Sequence, residues 1–332
     1  MDTVLHDLPG NPLPANHISG YFTAHDGLRL RYAIFKSDIS PAKGTVVLVH
    51  GRTESIEKYY ETIEDLTRSG LWVATFDLRG QGLSDRTHKD RTRGHVRRFS
   101  DYERDLELFL EKIVLPDARV PLYMIAHSTG GLIALSAAPR LSGRISRLVL
   151  SAPFVGLHGE AMSAGKIFAL ARLLCWAGLG NSRLSSSSKP PNFATNVLTS
   201  DKIRFDRNTD ISAQIPELAL GGPTARWLYE CSKAIKRVND PAHLTQITIP
   251  TLLLAPMLDG IVPFSAQEHL ARHFRAGQLL SVPGARHELL QEDDRYRLQA
   301  LAAIHAFIPG SDATEQWTAT GLEPDDTAAD YA

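Results

Sequence analysis

The sequence predicts an α/β fold: a mostly parallel central sheet flanked by helices, with a mainly helical insertion over one edge. Three observations predict it. Short apolar, β-rich runs alternate with helix-length segments over the first half of the chain and return near its end. Between Pro153 and Pro250 that alternation stops, and few β-rich segments occur. At Ala126-His127-Ser128-Thr129-Gly130-Gly131 an apolar run gives way to a small, helix-compatible one with a serine at the junction. The length of 332 residues, with 43 % hydrophobic and 22 % charged, suits one large domain carrying an insertion.

The first residues, 1–18, read as irregular. Segments 20–23 and 28–35 then read as two strands around the Asp26-Gly27 turn, a hairpin signal. Strand 45–49, helix 59–69 and strand 71–76 follow, and then a helix over 101–114. Ser100 with Glu103 three residues on has the spacing of a capping box, which starts that helix. The run 120–125, centred on 123–125, is a buried strand, and 130–138 the helix after the serine. Strands at 147–150, 251–255 and 278–282 complete the set. The core is therefore expected over 19–154 and 250–310, with a cap over 155–249 at the carboxyl edge, where open α/β sheets bind ligands. The cap region includes an apolar stretch at 161–180, a serine run at 185–188 and Pro190-Pro191. The tail 311–332 has six acidic residues and neither lysine nor arginine, the composition of a disordered segment.

Composition narrows the function. A net charge of -1 gives no basis for nucleic acid as a partner. The two cysteines, Cys175 and Cys231, form no metal-type spacing and no disulfide framework. Residues 1–16 are polar and lack the basic-then-apolar order of a secretory signal, so the expected compartment is the cytoplasm. The stretch 161–180 approaches bilayer length, but Lys166 and Arg172 inside it would be costly there. It reads as a buried or half-exposed cap helix, or as a helix that seeks the interface and holds the protein peripherally at the inner membrane.

A serine on a tight strand-to-helix turn is thrust out where a base and a substrate carbonyl can reach it, provided the flanking residues are small. Ala126 and Gly130 meet that need on either side of Ser128. Activating the hydroxyl requires a general base, and the base an orienting carboxylate. His287 follows strand 278–282 across a turn, at the same edge as Ser128, which favours it over His127, His273 and His305. Asp259 follows strand 251–255 and completes the order Ser, Asp, His. A tetrahedral oxyanion needs two backbone N–H donors. Thr129, after the nucleophile, supplies one. Arg52, in His50-Gly51-Arg52 after strand 45–49, supplies the other, with Gly51 allowing close approach.

With these parts in place, the chain resembles the α/β-hydrolase superfamily from about residue 20 to 309. Asp77-Leu78-Arg79-Gly80-Gln81-Gly82-Leu83-Ser84 matches the superfamily's turn after its second parallel strand, a structural element. Gly51-Arg52-Thr53-Glu54-Ser55 with Lys58-Tyr59, Asn196-Val197-Leu198-Thr199-Ser200 with Arg204-Phe205, and Gly221-Gly222-Pro223-Thr224 with Trp227 look like bacterial lysophospholipases related to monoacylglycerol lipases, in the serine aminopeptidase-like family. Ala126 departs from the glycine usual there. The resemblance implies hydrolysis of a single-chain lipid ester through an acyl-enzyme on Ser128, without metal or organic cofactor, and an acyl channel beside the apolar cap helix. It leaves open an esterase, thioesterase or peptidase acting on a small substrate, an acyltransferase, and a non-catalytic ligand-binding homologue. The loop 86–98, with six basic residues and one acid, is either a solvated loop or an attractor of phosphate or an anionic membrane.

Overall fold

Strands that are apolar at every position must be buried on both faces, and such strands fill the middle of the sheet. The computed structural model describes residues 4–159, 162–184 and 192–309. Its eight strands are β1 (His17–Thr23), β2 (Arg29–Phe35), β3 (Gly44–Val49), β4 (Leu71–Phe76), β5 (Leu122–His127), β6 (Arg147–Ser151), β7 (Thr251–Pro256) and β8 (Gly277–Val282), in the order β1-β2-β4-β3-β5-β6-β7-β8. The first two pairings, β1 with β2 and β2 with β4, are antiparallel and all others parallel. Every expected strand is present: β3, β6, β7 and β8 are one residue longer than the sequence suggests, β5 lies two residues further on, and β1 starts three residues early, inside the segment read as irregular.

The helices are α1 (Tyr60–Arg68), α2 (Phe99–Phe109), α3 (Leu115–Asp117), α4 (Thr129–Leu141), α5 (Ala164–Trp176), α6 (Lys202–Gln214), α7 (Ala225–Val238), α8 (Pro241–Leu244), α9 (Phe264–His273) and α10 (Asp294–Phe307). A short π-helical stretch, Leu110–Val114, joins α2 to α3. The two-residue period of the strands divides the core. Val47, Val49, Met124 and Ala126 face the cluster that includes α2, α4 and α7, whereas Val46, Leu48, Tyr123 and Ile125 face the one that includes α1 and α10.

Asp77, in the turn after β4, organises the antiparallel edge. Its carboxylate accepts hydrogen bonds from Arg31 Nε at 2.7 Å, Leu83 N at 2.7 Å and Ile56 N at 3.1 Å. The Arg31 guanidinium also donates to both oxygens of Glu57, at 2.7 and 2.8 Å. Against the burial that opposes ionisation, this guanidinium holds Asp77 low and is itself raised by the two acids. Removing one partner would leave a buried charge uncompensated.

One expectation needs correction, and another is narrowed to one of its two forms. Helix α2 starts at Phe99 with Arg98 as its N-cap, and no capping box forms. Glu103 is buried and instead accepts hydrogen bonds from Ser136 Oγ and Arg140, both at 2.8 Å, and from Arg237. Tertiary partners outcompete the local cap. The apolar helix α5 is 13 residues long, and Ala171 is its only buried residue. Trp176 is 87 % and Leu173 58 % exposed, so α5 is the half-exposed form of the helix that the sequence allowed, and no helix among the described residues is long and apolar enough to cross a membrane. Between β6 and β7 the described residues form helices and no strand. The serine run, Pro190-Pro191 and the acidic tail lie outside the described residues.

Candidate active site

Ser128 stands between the end of β5 and the start of α4 with φ 50° and ψ −115°. A side chain at positive φ is strained, and the surroundings hold it there. Ser128 N donates to Ser151 O at 3.0 Å, and Ser128 O accepts from Leu132 N and Phe154 N at 3.1 and 2.9 Å. A Cβ on Gly130 would meet the carbonyls of Val49 and His50, the latter at 2.6 Å, so the helix can approach β3 only with glycine there. Ala126 is fully buried within β5, where its methyl packs into the core.

The sequence-predicted partners converge on this serine. His287 Nε2 lies 2.9 Å from Ser128 Oγ, and His287 Nδ1 lies 2.8 Å from Asp259 Oδ2. Asp259 Oδ1 accepts from Ile261 N at 2.7 Å and Val262 N at 2.9 Å. All three side chains are buried. An ionised Asp259 accepts from Nδ1–H, which leaves the Nε2 lone pair directed at the serine hydroxyl. The chain of contacts has the geometry of a base positioned to take the Oγ proton.

The loop after β3 also reaches the serine. A Cβ on Gly51 would lie 3.2 Å from Ser128 Cβ and 3.1 Å from His127 Cδ2. Arg52 and Thr129 both line the cavity at Ser128. The Arg52 side chain donates to Gly221 O and, at 3.0 Å, to Thr53 Oγ1, and lies 5.2 Å from the Trp227 ring centroid. Burial without an acidic partner lowers this guanidinium to about 10.

The motif residues Glu54, Lys58 and Tyr59 form a charged cluster with Glu288 at the site, a grouping that sequence reading missed. Lys58 Nζ donates to Glu54 at 2.9 Å and to Glu288, the neighbour of His287, at 2.6 Å. Tyr59 OH donates to Glu54 at 2.9 Å. Although burial acts to raise it, Glu54 is held low chiefly by the Lys58 ammonium. His127 Nδ1 lies 3.1 Å from Ser151 O, and its ring centroid is 5.0 Å from that of His287. Burial above all, with the nearby Lys58 charge, pushes His127 down to about 4, against the pull of Glu54. It is neutral near pH 7 and leaves His287 as the base. Glu54 and Lys58 have helical i, i+4 spacing, a signal visible in sequence. Glu288 is 230 residues from Lys58, and no local pattern links them.

The cavity over Ser128 encloses about 840 Å³. Its apolar lining includes Phe154, Leu157, Leu198, Phe205, Trp227 and Ile261. None of the lining residues comes from α5, contrary to the expectation of an acyl channel beside that helix; α6, α7 and the 198–199 segment contribute instead. Arg204 ties α6 to α1 and α10 through Glu61 at 2.6 Å and Asp294 at 2.7 Å. Of the other histidines considered, His273 is exposed on α9 and His305 is on α10, outside the cavity. No group of histidine, cysteine and acidic residues able to hold a metal occurs among the described residues.

The chain is 34 % identical over 304 residues to lysophospholipase L2 of Escherichia coli strain K12, covering 86 % of each chain. It is 30 % identical over 291 residues to a probable lysophospholipase L2 of Haemophilus influenzae, covering 87 % of this chain and 91 % of that one. Among solved structures, a soluble variant of monoglyceride lipase from Saccharomyces cerevisiae, in complex with a substrate analogue, superposes with a TM-score of 0.73. The match covers 90 % of this chain and 96 % of that one at 21 % identity. The family Hydrolase_4, serine aminopeptidase S33, matches residues 40–294. With residues 40–294 matched and the relatives aligned over most of their length, the chain belongs to that family of α/β-hydrolases.

Proposed function

We propose that the protein hydrolyses the carboxylic ester of a single-chain lipid, a lysophospholipid or monoacylglycerol, through an acyl-enzyme. The observation that carries this reading is the Ser128–His287–Asp259 chain beneath an apolar cavity large enough for an acyl chain. His287 Nε2 takes the Ser128 proton as Oγ bonds to the ester carbonyl carbon. The oxyanion is met by the N–H groups of Arg52 and Thr129. Collapse breaks the ester C–O bond, and His287 returns the proton to the departing alcohol. Water, deprotonated by His287, then releases the fatty acid and restores Ser128. The residues between β6 and β7 act as the cap that shapes the acyl site. The names of the relatives support the lipid substrate. We also place the protein in the cytoplasm, in peripheral contact with the inner membrane through the exposed apolar residues of α5.

The test is fatty-acid release by the purified protein, with Ser128→Ala beside it, from lysophosphatidylcholine, lysophosphatidylethanolamine, monoacylglycerol and a short-chain ester. Serine-dependent release from the single-chain lipids is expected. Turnover of the short ester alone would overturn the lipid assignment and keep the hydrolase.

A further inference from the structure

A second cleft, of about 620 Å³, opens between the start of α2 and the flank of α7. Five cationic side chains line it, Arg97, Arg98, Arg226, Lys233 and Arg237, against one carboxylate, Glu230. That carboxylate is already engaged: it accepts from Phe99 N at 3.2 Å and pairs with Lys233 at 2.7 Å and Arg226 at 3.9 Å. Arg237 is held by Glu103 and Ser136. Arg97 and Arg98 are exposed, and neither side chain has an acidic partner among the described residues. His95, also at the cleft, is lowered to about 4 by burial, His88 and Arg226, so the positive charge near pH 7 comes from permanent cations.

The neighbouring surface says which anion this cleft would meet. Arg226 also lines an adjoining depression together with Arg172, Leu173 and Trp176 of α5. The cationic cleft thus continues into the exposed apolar ridge, and a tryptophan beside basic residues suits the headgroup level of a bilayer. Helix α7 presents Trp227 to the catalytic cavity and its neighbour Arg226 to the cleft, so a surface held there lies beside the cavity.

We propose that this cleft binds the phosphate of an anionic phospholipid headgroup and gives the protein a preference for anionic bilayers. The choice of a lipid over a free phosphate rests on the lipid-ester reading; the cationic cleft itself does not. The test is binding of the full-length protein to phosphatidylcholine vesicles with and without phosphatidylglycerol, at low and moderate salt. The wild type should bind the anionic vesicles at least tenfold more tightly, and salt should weaken that binding. The double variant Arg97→Gln, Arg98→Gln should lose roughly tenfold or more on anionic vesicles and nothing on neutral ones. Its thermal midpoint and its turnover of a soluble short ester should match the wild type, because both positions are exposed and neither lines the cavity over Ser128. Equal binding to both vesicle types, or an unchanged preference in the double variant, would overturn the proposal. So would saturable binding of inorganic phosphate at the cleft without any vesicle preference, which would identify a soluble ligand. Vesicle binding is read without turnover, so a failed substrate assignment and a failed cleft assignment are distinguishable.

Discussion

Asp259→Asn is the substitution whose outcome the structure specifies most closely. Asp259 Oδ1 accepts two backbone N–H groups, at 2.7 and 2.9 Å, and Oδ2 faces His287 Nδ1 at 2.8 Å. An asparagine has one oxygen and one NH₂, so its orientation is a choice. Turning the NH₂ toward Ile261 N and Val262 N would leave donors facing donors, at about 1–3 kcal/mol for each buried group left unsatisfied. The oxygen therefore stays on the backbone, favoured by roughly 2–6 kcal/mol, and the NH₂ points at Nδ1. His287 must then accept at Nδ1 and carry its proton on Nε2, against the Ser128 hydroxyl, where it cannot serve as a base. By comparison with other triads the expected loss in kcat is about 10⁴-fold, or roughly 5.5 kcal/mol in the barrier. Steady-state hydrolysis of a soluble ester measures it, with far-ultraviolet circular dichroism as the check on folding. Retention of more than about a tenth of wild-type kcat by the folded variant would refute the assignment of Asp259 and the tautomer reasoning together.

Ser128→Ala should eliminate turnover and labelling by a fluorophosphonate probe while the thermal midpoint stays close to wild type, since only an Oγ is removed. Labelling that persists would place the nucleophile elsewhere. Gly130→Ala should fail to give stable protein, because the new Cβ would lie 2.6 Å from His50 O and against Val49 O; a soluble variant with an unchanged melt would disprove that packing constraint. Glu61→Gln tests the link between α6 and α1. Arg204, Arg207 and Arg297 outweigh the burial that would raise Glu61 and lower it to about 2 from its usual 4.5. A lowered pKa gives stability that is present above pH 4.5 and lost as pH falls through 2. The variant should lose about 1–2 kcal/mol near neutral pH, after allowance for solvent screening. The deficit should shrink across that acid window. Urea denaturation at several pH values would show it, and a deficit that does not change with pH would contradict the ion-pair account.

The sequence by itself determined the features whose physics is local or strictly ordered. Continuous apolar strands such as β3, β4 and β5 must be buried on both faces, which requires helices on both sides of a parallel sheet. The small residues around Ser128 predict a sharp turn, and parallel strands that all end at one edge allow Ser128, Asp259 and His287 to meet there. The tertiary structure decided what depends on partners distant in sequence. Glu103 looks like a capping residue until Ser136, Arg140 and Arg237 arrive from α4 and α7. Lys58 acquires its second carboxylate only when the His287 loop folds over the site. Helix α5 is apolar enough to suggest a buried element, yet it packs chiefly on α7 and leaves Trp176 in solvent. Apolar periodicity establishes that a face can be buried, and only the packed neighbours determine whether it is.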